Sequence, residues 1–205
     1  EDLFIAKAFD NRVGMAGTIQ TGQILAQSAH PNRLILCGTV QEEVGLRGAR
    51  VAAYTFNPDL AIALDSTPAY DLPAWDGEEN SRYNTRLGSG PAIYISDSST
   101  LSDPRLIRHL AETGKALGIP FQFRQPGGGG TDAAEFARIG VQATTLIGMP
   151  TSLMRDGLVY HTANDTVGHI EPAAVEASLK IALEYILRKD REKESLEPGK
   201  LISER

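Results

Sequence analysis

The chain has 205 residues, 41% hydrophobic and 22% charged, and a net charge of −6. That length suits one globular domain with a sizeable core, and the acidic balance argues against a nucleic-acid or anionic-membrane partner. No apolar run approaches the roughly 18 residues that cross a bilayer, and residues 1–4 show no basic region leading into an apolar stretch. A cytoplasmic protein is expected.

In chain order, residues 11–29 carry apolar Val13, Met15, Ala16, Ile19, Ile24, Leu25 and Ala29, a spacing that predicts a helix packing one face. Residues 33–41 and 59–65 are short, nearly continuous apolar runs, predicted as strands covered on both faces. The single cysteine, Cys37, falls in the first run and is expected to be a small buried residue. Gly45 and Gly48 permit a turn between Glu42, Glu43 and the next helix.

Residues 91–96 read as a strand, 104–117 as a helix opened by Ser102 or Asp103, and 121–124 as a strand. A short helix at 131–139, a strand at 143–147 and a long closing helix at 172–188 follow. Helix and strand alternate, which favours an α/β layer fold. From Lys189 the composition turns charged, so residues 1–188 are expected to form the domain and 189–205 a mobile tail.

The chemistry concentrates where the 33–41 run meets Glu42 and Glu43. Side chains alternate along an extended chain, so adjacent carboxylates can be aimed at different partners, one at a metal and its neighbour at a proton. Solvated charges leaving a sheet are the plainer alternative for such a pair. Asp10, Asp65 and His161 complete a mixed oxygen and imidazole set suited to zinc, cobalt or manganese. Each has a plain alternative too: Asp10 as a helix N-cap, Asp65 as a strand-end turn residue and His161 as an exposed loop histidine. Strand ends and helix starts, however, point these carboxylates toward one edge of an α/β sheet, where such folds place their sites.

Five segments carry a resemblance in the same order: AKAFDNRVG at 6–14, TVQEEVGLRGA at 39–49, IALDSTPA at 62–69, RLGSGPAI at 86–93 and PGGGGTDAAEF at 126–136. Together they resemble the M42 metal-dependent aminopeptidases, a zinc-exopeptidase-like family with a three-layer α/β fold. The resemblance implies two divalent metal ions and peptide substrates. Asp10 would bridge the metals, Glu42 would be the general base, and Glu43, Asp65 and His161 would be metal ligands. The glycine loop through Gly128, Gly129, Gly130, Thr131 and Asp132 would shape the substrate pocket, with a merely flexible loop as the alternative.

Two departures accompany the resemblance. The stretch before His161 is longer than in the family, and Tyr160-His161-Thr162 is more similar to the related M28 exopeptidases; His169 is the fallback ligand. The family also carries a ligand histidine in a His-x-Asp motif upstream of the bridging Asp, followed by an inserted β domain that mediates homo-oligomer assembly. Neither is found here, and His30 and His109 read as ordinary exposed residues. The chain is therefore expected to be the C-terminal part of a catalytic domain, with the Asp10, Glu43 and His161 metal site strong and the Asp10 and Asp65 site weak.

A non-catalytic metal-binding or assembly fragment is the rival reading. A glycoside hydrolase also uses two carboxylates, but adjacent residues on one strand do not flank a bond.

Overall fold

The computed structural model describes residues 8–69, 85–86, 88–125, 128–152 and 172–195. The elements run α1 (Phe9–Leu25), α2 (Arg47–Phe56), β1 (Leu60–Ala69), β2 (Ala92–Tyr94), α3 (Pro104–Leu117), β3 (Gln122–Arg124), α4 (Ala133–Arg138), β4 (Gln142–Ser152) and α5 (Pro172–Ser195). The strands form one mixed sheet in the order β1-β4-β2-β3. β1 lies parallel to β4 from Leu60 opposite Gln142 to Ala69 opposite Ser152, β2 is antiparallel to β4, and β3 is parallel to β2.

Helices cover the sheet in layers. α1 packs on β1 and α5 on β4, and α5 also meets α1 and α3; α4 meets β1 and β4 and carries α2. The main core joins Ile93 of β2, Leu106, Leu110 and Ala111 of α3, and Ile181, Ala182 and Tyr185 of α5, with Leu60, Ile62 and Leu64 of β1 packed against it. This is the expected three-layer α/β arrangement.

Local chemistry explains the best-defined helix. Asp103 accepts a hydrogen bond from Arg105 N at 2.8 Å, Pro104 fills the first turn, and Gly118 at φ 65° ends α3 in the left-handed conformation. α1 starts differently. Asp10 and Asn11 hold non-helical dihedrals, and Asn11 Oδ1 accepts from Gly14 N at 2.9 Å, so Asn11 performs the capping that the sequence offered to Asp10.

Two expectations fail. Among the described residues, 33–41 form no strand ladder; this stretch lies along α1 instead. A Cβ at Gly22 would come 2.3 Å from Leu36 Cδ1, and one at Gly38 would come 2.8 Å from Met15 Cε. Cys37 is consequently exposed rather than buried. The closing helix also continues past Arg188 to Ser195, because its charges pair along the helix: Lys189 with Glu192 at 2.7 Å and Arg188 with Glu184 at 3.3 Å. Residues 196–205 of the expected tail lie outside the described residues.

Candidate active site

The Glu42, Glu43 turn is held by its own backbone. Gly45 N and Leu46 N donate to Glu42 O at 3.1 and 2.9 Å, Arg47 N to Gln41 O at 3.2 Å, and Gly48 N to Val40 O at 2.9 Å. Gln41 and Leu46 take left-handed dihedrals at φ 60° and 55° to close it. A Cβ on Gly48 would sit 2.5 Å from Val40 N, so this close crossing requires glycine. The turn separates the two carboxylates: Glu42 is half-buried and Glu43 exposed. Burial first, then the negative charges of Glu43, Asp132 and Asp10, push the Glu42 carboxyl from 4.5 up to about 7.

Asp10 and Asp65 are brought to the same region by Asn11. Its Nδ2 donates to Leu64 O at 2.7 Å, fastening the start of α1 to β1 one residue before Asp65. Gly14 makes the approach possible, since a Cβ there would fall 2.4 Å from Leu64 O. Just past Asp65 the β1–β4 register slips: Asp65 faces Ile147 and Ser66 faces Met149, so Gly148 is the extra residue of a bulge. Asp65 Oδ1 accepts from Ser66 N at 2.8 Å. Burial, followed by the charge of Asp10, holds the Asp65 carboxyl well above the usual carboxylate range.

From Gly128 onward the glycine loop is tied to its neighbours by hydrogen bonds. Buried Arg124 donates to Gly128 O at 2.8 Å and stacks 4.1 Å from the centre of the Tyr94 ring, whose hydroxyl donates to Thr67 Oγ1 at 3.0 Å. Ser98 N donates to Gly129 O at 3.0 Å. Gly129 takes φ 87°, open to glycine alone at little cost. Thr131 is buried, and Asp132 Oδ2 accepts from Thr39 Oγ1, across to the turn that carries Glu42.

Asp10, Glu42, Asp65 and Asp132 thus share one electrostatic neighbourhood, with the charges of Asp10 and Asp132 acting on both Glu42 and Asp65. Among the described residues, no three His, Cys, Asp or Glu side chains stand together as a metal cage. His161 and its fallback His169 lie outside the described residues. In donor type and charge the carboxylates fit a divalent cation, since crowded carboxyls held above their usual range are what a cation returns to the ionised form.

The other histidines stand apart from this set. His30 Nδ1 lies 2.8 Å from Asn32 O. His109 is not an ordinary exposed residue: it is partly buried at the α3–α5 contact, edge-on to Tyr185 with ring centres 5.0 Å apart.

A profile of the M42 glutamyl aminopeptidase family matches residues 1–164. The chain belongs to that family. It is 37% identical over 143 residues to the glutamyl aminopeptidase of Lactococcus lactis subsp. cremoris, covering 69% of this chain and 38% of the relative. The TET aminopeptidase of a marine sediment archaeon, Thaumarchaeota archaeon SCGC AB-539-E09, superposes with a TM-score of 0.76 at 31% identity, over 92% of this chain and 50% of that one. The TET1 peptidase of Pyrococcus horikoshii, which can assemble into a tetrahedron or a large octahedral shell, gives a TM-score of 0.69 at 26% identity, over 89% of this chain and 49% of that one. The chain therefore spans half or less of the length of these relatives. The match favours the peptidase family over a glycoside hydrolase. Among the described residues, no helix is long and apolar enough to cross a membrane.

Sequence reasoning missed Asn11, Thr39, Ser98 and Arg124. Only Asn11 left a local signal, a polar residue three positions before Gly14 at a helix start.

Proposed function

We propose that the protein is a metal-dependent aminopeptidase that removes N-terminal residues from peptides, with Glu42 as the general base. The observation that carries this reading is Glu42 itself, half-buried on a glycine-locked turn among Asp10, Glu43 and Asp132, with a carboxyl poised near neutral pH. Asp10, Glu43, Asp65 and His161 would hold two divalent ions, zinc or cobalt or manganese. Bound there, the metals supply Lewis acidity toward the scissile carbonyl and the attacking water.

The chain's own residues divide the remaining work. Glu42 takes a proton from the attacking water and returns it to the leaving amine. The backbone of Gly128, Gly129 and Gly130, with buried Thr131, walls the pocket, and Arg124 and Ser98 keep that wall in place. Assembly with copies of itself, as in the TET1 peptidase, would rest on the β domain that mediates it in the family.

Glu42→Gln tests the assignment. With zinc or cobalt bound, hydrolysis of aminoacyl p-nitroanilides should fall by about 10²–10⁴-fold, while metal content by elemental analysis stays unchanged. A variant that still turns over sinks the base assignment. Metal bound by the natural chain with no hydrolysis at all returns the non-catalytic fragment reading.

A further inference from the structure

Asp132 behaves unlike an ordinary helix-start aspartate. It stands at the N-cap position of α4, yet it takes helical dihedrals, φ −55° and ψ −23°, and makes no capping bond. Its Oδ2 accepts from Thr39 Oγ1 instead, across 93 residues of chain. Its Oδ1 is buried without a hydrogen-bond partner among the described residues. A carboxylate so placed gives up the local bond that Asp usually makes, so the contact to Thr39 is the one the fold retains.

One turn further along α4, Glu135 also reaches back to this stretch, while keeping a local ion pair with Arg138. It is 4% exposed and receives Arg50 Nε at 3.1 Å and Nη2 at 3.3 Å. Thr39 lies just before the Glu42 turn and Arg50 just after it, on α2. Two carboxylates of one short helix therefore grip both ends of the stretch that carries Glu42. Between the grips lie Gln41 and Leu46 in left-handed dihedrals, which other residues than glycine hold only under constraint.

We propose that Asp132 is a positioning residue for Glu42: through Thr39 it fixes one end of the turn, as Glu135 does the other end through Arg50, so that α4 sets where the base stands. This gives Asp132 a task other than touching substrate, and it rests on Glu42 being the base. The glycine loop runs directly into α4, so the same bond keeps pocket wall and base in register.

Hydrogen exchange on the metal-free full chain reads the grip without turnover. Thr39→Val and Asp132→Ala should speed exchange of the Gly45, Leu46, Arg47 and Gly48 amides about tenfold, a charge-assisted hydrogen bond's worth of local opening, and leave α3 amides unchanged. Thr39→Ser keeps the hydroxyl and should restore the natural rates. Unchanged turn amides overturn the proposal, and so does equal acceleration in α3, which would make Asp132 a residue of general stability.

In the metal-loaded protein, Thr39→Val should lower kcat about tenfold with KM within about twofold, and Thr39→Ser should recover it. A raised KM with kcat intact overturns the assignment and places Asp132 among the substrate contacts. Glu42→Gln separates the two readings: if it stays active, the base assignment fails while the exchange result stands.

Discussion

On the α3–α5 side of the sheet, Ile93, Leu110 and Ile181 are fully buried, whereas on the flank that carries Glu42, Val40 stays 67% exposed, Val51 66% and Tyr54 71%. The buried residues of α2 are Ala49, Ala52 and Ala53, which remove little surface from water. Stability and chemistry thus draw on different parts of the molecule. The core side is held by large apolar side chains, and the site side by hydrogen bonds, charge pairs and glycine crossings.

Substitutions on the two sides should separate them. Leu110→Ala opens a hole in the core and should cost about 2–5 kcal/mol in urea unfolding. A cost below about 1 kcal/mol would show that the core side does not dominate. On the site side, Asn11→Ala removes a cap and the tie to Leu64 together and should cost about 1–2 kcal/mol. Asn11→Asp, which keeps the capping oxygen but not the donor, should recover part of that loss by the same measurement.

The site side should also carry the pH dependence. Glu42 and Asp65 have folded carboxyls held above their unfolded values, so the folded state binds protons more tightly. The Glu42 contribution is fully present below its unfolded value of 4.5 and is lost as pH rises through about 7, and Asp65 acts in the same direction. The metal-free protein should therefore melt at higher temperature near pH 5.5 than near pH 7.5, with a flatter profile for Glu42→Gln. A profile rising with pH over that range would contradict the crowding of these carboxylates. The smallest effect belongs to the open flank itself: Tyr54→Ser should change unfolding free energy by less than about 0.5 kcal/mol.

Much of the fold was written locally. Asp103, Pro104 and Gly118 punctuate α3 so clearly that its bounds follow from them, and Asp65 stands at a β1 position that its apolar run foretold. The 33–41 stretch misled because apolar periodicity reports burial preference and says nothing of a pairing partner; here the partner is the face of α1. Charged composition after Arg188 misled for a related reason, since the same residues pair along α5. Within the site, Glu42 and Glu43 differ in exposure because a turn separates them, not because a strand alternates its faces. The grip of Asp132 on Thr39 was not legible in the sequence, because a hydrogen bond between distant segments leaves no mark at either position.

The β1–β4 ladder has a kinetic corollary. Its first rung joins Leu60 to Gln142 in parallel, so everything between must be laid out before that rung can close. α1, α2 and α3 rest on neighbouring residues and form early; a long-range parallel pairing forms late and slowly. During synthesis Asp10, Glu42 and Asp65 are made before β4. The pairing that completes the sheet under the carboxylate cluster is thus one of the last events of folding.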